Sequence, residues 1–459
     1  MATPSLLEHP NPATSAPPPA SGSIDAALAQ TKPTRNKAVD FVRVLAMFVV
    51  ALGHWVNVAI LRNDAGDLTG TTVLELHPGF GWLTWIFQVM PAFFLVGGFA
   101  SACSLDSAAS KAGAAGKDFS SADWIQGRLR RMMTPTTWLA RFWTTLITLA
   151  AAIHFSGVFD FDLLELAVQG AYVGAIPLWF LANYTIDTAI APFTHRLWRR
   201  SPVKLIGGLL AVFTVAEIAN LNDIPYLPQI NWVIGWLLFQ ITGFAWQDGK
   251  LTSGAKLVAA AAAAWALALA LVTVGPYPVL MLHIGGLDLS PTHPPTLALL
   301  AFGTAYNLTV VALAPAIDRW LTRSRRAWKA TAVLGTISMS VYLWHATAGL
   351  FAGVALQQFV DMTGPETLSS AWWGQKALLV IVASLLLGGI VATVKGAELK
   401  GMVAGAGASF RFGLPTLLIA AATLSAGIKM WSSPSALLMV GLVLVHGSWF
   451  VASRTRPLN

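Results

Sequence analysis

VDFVRVLAMFVVALGHWVNVAI, residues Val39–Ile60, is apolar throughout except for Asp40 and Arg43 at one end and His54 and Asn57 deep inside. A run of about twenty-two residues rising ~1.5 Å per residue crosses a hydrocarbon layer of ~30 Å. Arg43 and His54 are separated by about three helical turns, so both side chains fall on one stripe, roughly 16 Å apart along the axis. One span therefore carries a cation near one surface and an imidazole at depth. An ionisable side chain inside a membrane is costly enough to mark a functional position by default.

The rest of the composition agrees with that span. Of 459 residues 55% are hydrophobic and only 11% charged, and the mean hydropathy is +0.63. A soluble domain carries about a quarter charged residues. The net charge of +8 would suit a nucleic-acid binder, but its distribution along the chain argues against one. Cys103 is the only cysteine, which excludes an intramolecular disulfide and a zinc knuckle. Residues 1–36 are rich in Pro, Ala, Ser and Thr, with a triple proline at Pro17–Pro19, and read as a disordered cytoplasmic tail. No short apolar signal region precedes the first long span, which reads as an uncleaved start of insertion.

Hydropathy predicts twelve spans, at 39–60, 80–103, 132–154, 172–194, 203–220, 230–247, 257–275, 295–317, 331–357, 373–394, 413–430 and 435–452. Alternate connections carry clustered cations, among them GRLRR, HRLWRRSPVK and IDRWLTRSRRAWK, whereas the others carry scattered carboxylates. Placing the cation-bearing set in the cytoplasm puts every one of the 29 Lys and Arg residues there except Arg62, Arg141, Lys376 and Lys429. The expectation is an all-α polytopic protein of the cell membrane with both termini cytoplasmic. Its positive charge then belongs to topology and lipid headgroups, with no nucleic-acid partner.

MPAFFLVGGFASA closes the second span with Pro91 to bend it and Gly97, Gly98, Ala100 and Ala102 to admit another helix. Ser120–Arg131 follows as a short amphipathic element ending in Arg128, Arg130 and Arg131, which suits either headgroup anchoring or a phosphate, whose oxygens guanidinium forks match. Arg141 lies about two turns into the next span and needs a partner or an aqueous cavity. Asn183 and Asp187, one turn apart, could face that cavity, although pairing of Asp187 with an arginine is the simpler expectation. Glu217 reads as interfacial. His283 and His293 sit in an outer loop that gives them no frame for a metal, so no metal site is expected.

Arg43-x10-His54, FFLVGGF at Phe93–Phe99, Arg128-x-x-Arg131 before Pro135, LWFLANY at Leu178–Tyr184 and SVYLWHA at Ser340–Ala346 occur in one order over residues 36–350. In that combination the chain resembles acyltransferase family 3, polytopic enzymes that modify envelope glycans, lipids and secreted metabolites. The loop Gly275–Thr296 resembles those of actinobacterial members. The family usually has Ser where Gly97 stands and ten core spans, so the resemblance divides the chain into a tail at 1–36, an acyltransferase domain at 37–395 and an added helical pair within 396–459.

The resemblance implies transfer of an acyl group, often acetyl, from cytoplasmic acyl-CoA to an acceptor hydroxyl on a glycan, glycolipid or secreted metabolite. Acyl-CoA is then a co-substrate, no cofactor is permanently bound, and lipids are the surrounding partner. Neutral histidine can serve as base or as nucleophile near pH 7, which assigns His54 to catalysis. Arg43, Arg128, Arg131 and Arg141 fall on the side where donor phosphates would enter. His345, Trp344, Tyr342, Asn183, Asp187, Gly98 and Phe99 are expected around the site or toward the acceptor, His345 either orienting His54, contacting the thioester or bonding across helices. A secondary transporter is the competing reading, because buried His, Arg and Asp within twelve spans also describe one. The two halves show no convincing similarity to each other, which weighs against it.

Overall fold

A computed structural model describes the chain over residues 35–404, except 65, 67, 157–162, 286 and 288. It is helical nearly throughout. Helix α1 spans Lys37–Asn57, with the Asn36 side chain accepting from Val39 N as N-cap. Strands β1 (Val58–Arg62) and β2 (Leu68–Thr72) pair antiparallel, Val58 opposite Thr72 and Arg62 opposite Leu68. Two single turns, α2 (Val73–Leu76) and α3 (Thr84–Phe87), flank a 3-10 segment at Pro78–Leu83. The longer helices follow as α4 (Met90–Ala114), α5 (Ser121–Ser156), α6 (Leu163–Gly174), α7 (Leu178–Arg200), α8 (Pro202–Leu221) and α9 (Asn231–Gln247). The series continues with α10 (Ala255–Thr273), α11 (Leu297–Arg323), α12 (Arg325–Gln357) and α13 (Ser370–Ala404).

Among the described residues seven helical segments are long and apolar enough to cross a membrane, eight if α6 and α7, bent by 45° at their junction, form one span. The protein is an all-α polytopic membrane protein. Helices lie at each of the first ten expected spans; the expected spans 413–430 and 435–452, and the tail up to residue 34, lie outside the described residues.

Four boundaries differ from the sequence expectation. The first span ends at Asn57 rather than Ile60, because β-branched Val58 and Ile60 pair with the Thr-rich strand β2 across a turn in which Gly66 takes φ +87°. The second, apolar from Pro78 to Ala114, is not one continuous helix but breaks ahead of Met90. There Gln88 breaks the chain, its side chain accepting from Met90 N and donating to Met281 O at 2.8 Å. The amphipathic element at Ser120–Arg131 is not separate but runs into the third span as α5, with Pro135 inside the helix. The fourth span is broken at Pro177 into α6 and α7.

The closest crossing is α4 against α9, where Gly98 and Gly243 lie flat on each other's helix. A Cβ on either would overlap a backbone carbonyl, that of Gln240 or of Leu95. Phe94 and Trp236 stack beside the crossing, 4.9 Å apart. One face of the bundle is tied by carboxylates: Arg199 forms ion pairs with Asp106 and Asp248 at 2.7 Å, and the Lys37 backbone N–H donates to Asp318 at 3.0 Å. The opposite face carries the hairpin, α2 and the 276–296 loop, joined where Glu75 accepts from Gly285 N at 3.0 Å.

Candidate active site

The site forms where α1 and α12 meet. Gly349 of α12 admits the Trp55 indole so closely that a Cβ would lie 2.5 Å from its Cδ1, and a Cβ on Gly335 would meet Arg43 at 3.3 Å. Trp55 Nε1 reaches over that gap to donate to the His345 carbonyl at 2.9 Å. The bond fixes the two helices in register. His54, the preceding residue, then presents Nδ1 at 2.8 Å from His345 Nε2, with ring centroids 4.9 Å apart. His345 is fully buried, and His54 is half-buried.

Bonding partners settle the proton positions. His345 Nδ1 lies 2.6 Å from the Tyr342 carbonyl, which can only accept, so Nδ1 carries the hydrogen. A neutral His345 therefore offers a lone pair at Nε2, and His54 donates to it from Nδ1. That leaves the His54 Nε2 lone pair with no donor among the described residues. Two imidazoles in series thus aim one basic nitrogen away from the pair. Tyr342 is itself held by donation to Pro177 O at 2.9 Å, and its ring packs against Phe93 and Phe180.

The other expected residues are dispersed. Arg43 donates from Nη2 to Asp40 at 3.1 Å, while its buried Nε has no partner among the described residues. Asp40 also accepts from Arg35 at 2.6 Å. Arg128 reaches Ser101 at 3.5 Å and lies over Trp124, Arg131 folds back to Gly127 O, and Arg141 sits 4.7 Å above Trp138. Phe99 packs on Trp246, away from His54. Trp344 meets Phe142 edge-to-face, with its indole N–H buried and unpartnered among the described residues.

Two expectations are corrected. Among the described residues Asp187 pairs with no arginine: α7 buries both its oxygens in the helix bundle, where neither finds a hydrogen-bond partner. Asn183, one turn earlier, bonds only back to Trp179 O. Glu217 is not an interfacial residue but a buried clasp, accepting from Tyr277 at 2.6 Å and from Leu297 N at 3.0 Å.

Sequence reasoning passed over Trp55 and Lys376. Lys376 donates to the Val58 carbonyl at the end of α1 and lies over Trp372. Its only sequence signal was that of a cation on the wrong side of the charge asymmetry. In the outer loop the His283 and His293 rings pack 4.5 Å apart, His293 against Trp232. Burial, reinforced by the neighbouring His283, pushes the His293 imidazole down to about 2.

The fold is a bundle of membrane helices that holds a hydrogen-bonded imidazole pair inside it. The chain belongs to acyltransferase family 3: the family's sequence pattern, described as an acyltransferase domain, matches residues 36–395. The protein is thus a membrane acyltransferase. No curated protein and no solved structure gave a match.

Proposed function

We propose that the protein transfers an acyl group, acetyl first among them, from acyl-CoA to a hydroxyl of an envelope glycan, glycolipid or secreted metabolite. His54 acts as the base. The observation that carries this reading is the ordered pair, in which the Tyr342 carbonyl fixes His345 and His345 fixes His54, with Nε2 unpartnered among the described residues. Nε2 takes the proton of the acceptor hydroxyl as its oxygen attacks the thioester carbonyl. The carbon–sulfur bond then breaks, and the departing thiolate takes the proton from the imidazolium, giving ester and free thiol. His345 receives the Nδ1–H bond throughout, which strengthens while His54 is charged. The same nitrogen is the one that would carry the acyl group in a two-step route.

The cation-rich face is the cytoplasmic side of the cell membrane in this reading, with the donor entering there and the acceptor from the hairpin side. The unpartnered Nε of Arg43 and the half-buried Arg128 supply donors for its phosphates. Acyl-CoA binding and turnover by the purified protein in lipid, beside His54→Ala and Arg43→Ala, test the reading. His54→Ala is expected to bind donor and lose turnover by ~10²-fold or more, and Arg43→Ala to bind donor more weakly. Full turnover by His54→Ala, or no acyl-CoA binding by the wild type, refutes it.

A further inference from the structure

We infer that the Tyr184 hydroxyl holds the amide-bearing pantetheine arm of the acyl-CoA donor, one turn inward of the arginine that meets its phosphates. This rests on the acyl-CoA reading above and assigns a residue to a part of that substrate.

The argument begins at Gly97. A Cβ there would lie 2.5 Å from Tyr184 Cε2 and 3.1 Å from its hydroxyl oxygen, so the missing side chain on α4 is what seats this ring. The ring also stacks on Phe180, with centroids 5.4 Å apart at 23°. Gripped between α4 and Phe180, the phenol has little rotational freedom. Its hydroxyl nevertheless makes no hydrogen bond among the described residues, and the side chain is only partly buried. A phenol held in place in an apolar bundle with its polar tip unused is prepared for something the protein does not itself supply.

Its neighbours indicate what. One turn along α4 toward the ion-paired face, Ser101 receives Arg128. In the other direction an unbroken series of rings leads to the histidines: Tyr184 to Phe180 at 5.4 Å, Phe180 to Tyr342 at 5.3 Å, Tyr342 to His345 at 5.9 Å, and His345 to His54 at 4.9 Å. Phe180, Tyr342 and His345 are themselves buried, so the series gives a direction, and an arm joining phosphates at Arg128 to a thioester at His54 passes the level of Tyr184. That arm carries two amides and a hydroxyl, which need partners on an otherwise apolar wall. Tyr184 is the half-buried polar group at that level, whereas Phe180 offers none and the unpartnered Asp187 and Gln240 beside it are fully buried.

The test is binding by the full-length protein in lipid nanodiscs, using acetyl-CoA and S-acetylpantetheine, which lacks the nucleotide. Tyr184→Phe keeps the ring and deletes the oxygen. It is expected to weaken both probes about three- to tenfold with the melting temperature unchanged. Arg128→Ala is expected to weaken acetyl-CoA and spare S-acetylpantetheine. Gly97→Ala evicts the ring and should weaken both probes further; if it does not fold, Tyr184→Phe decides alone. Equal affinity of Tyr184→Phe and wild type for both probes overturns the inference, as does a loss confined to acetyl-CoA, which would put the phenol on the nucleotide. Failure of the wild type to bind acetyl-CoA sinks the acyl-CoA reading itself and is thereby distinguishable.

Discussion

If His345 serves to orient His54 through its Nε2 lone pair, the His345→Ala and His345→Gln variants should separate widely. Alanine removes the acceptor 2.8 Å from His54 Nδ1 and leaves a buried N–H without a partner, at a cost of about 1–3 kcal/mol. The ring of His54 can then rotate or take the other tautomer, which moves the lone pair off Nε2. At 1.4 kcal/mol per factor of ten, the orphaned donor alone lowers turnover about 10- to 100-fold. The Trp55 bond to the residue 345 carbonyl involves backbone and survives, so the helices stay in register. Glutamine places an amide oxygen near the position of the imidazole Nε2 and can accept from His54 again. It should therefore stay within about tenfold of wild type. The assay is single-turnover consumption of acyl-CoA by protein in lipid, with donor affinity and melting temperature measured on each variant. Losses should fall on kcat and not on donor binding. The double variant His54→Ala/His345→Ala should be no worse than His54→Ala, since the second residue acts only through the first. Full turnover by His345→Ala refutes the orienting role. A folded His345→Gln as inactive as His345→Ala refutes it differently, since a ring that must itself hold a proton would then be required.

Acidification should loosen the hairpin face before the bundle. His283 and His293 are both held below the ordinary imidazole value by burial, so the unfolded chain takes up more protons than the folded one once the pH drops under 6.5. The stability they contribute is complete above 6.5 and declines as pH falls toward 5, at up to ~1.4 kcal/mol per pH unit for each group. Burial works to raise Glu75, but bonds from Thr71, Gly285 N and Thr72 outweigh it and hold the carboxyl below its ordinary value of 4.5. Its clasp stays intact through that first window and is lost only as pH falls below 4.5. Amide exchange of the 58–76 and 276–296 segments checks the order, and unchanged protection between pH 7 and 5 contradicts it. Asp187→Asn should melt within about 1 kcal/mol of wild type, because a carboxylate with no cation partner among the described residues gives no ion pair to break; a buried pair would lose about 3–5 kcal/mol. Gly349→Ala drives a methyl group against Trp55 and should cost about 1–3 kcal/mol together with turnover, by thermal unfolding and the same acyl-CoA assay.

The span Val39–Asn57 was legible because nothing but a membrane helix accounts for so long an apolar run carrying one arginine and one histidine. Its end was not, since Val58 and Ile60 satisfy hydropathy equally well as strand and as helix, and only the partner strand Leu68–Thr72 decides between them. The same limit explains the break at Gln88: its bond to Met281 O joins residues 193 positions apart, and no local pattern announces that. The misassignment of Asp187 shows the opposite failure, where a sound local rule, that buried carboxylates find cations, met a bundle that keeps its arginines elsewhere.

The pair itself lies between these cases. Each histidine stood out alone, but their distance depends on Gly349, which reads in the sequence as one glycine among 39. Only the crossing of α1 and α12 gives that glycine its meaning: without a side chain there, the Trp55 indole reaches the His345 backbone, and the neighbouring imidazole reaches the His345 ring. An imidazole within a membrane span has little bulk water to orient it. It has to be oriented by another span, and the last acceptor in the chain has to be one that cannot rotate away. Here that acceptor is the Tyr342 carbonyl, held within the backbone of α12. The proton order of the whole site therefore follows from helix packing, so the residues that set the basicity and direction of His54 include ones, such as Gly349 and Trp55, that never touch a proton in transit.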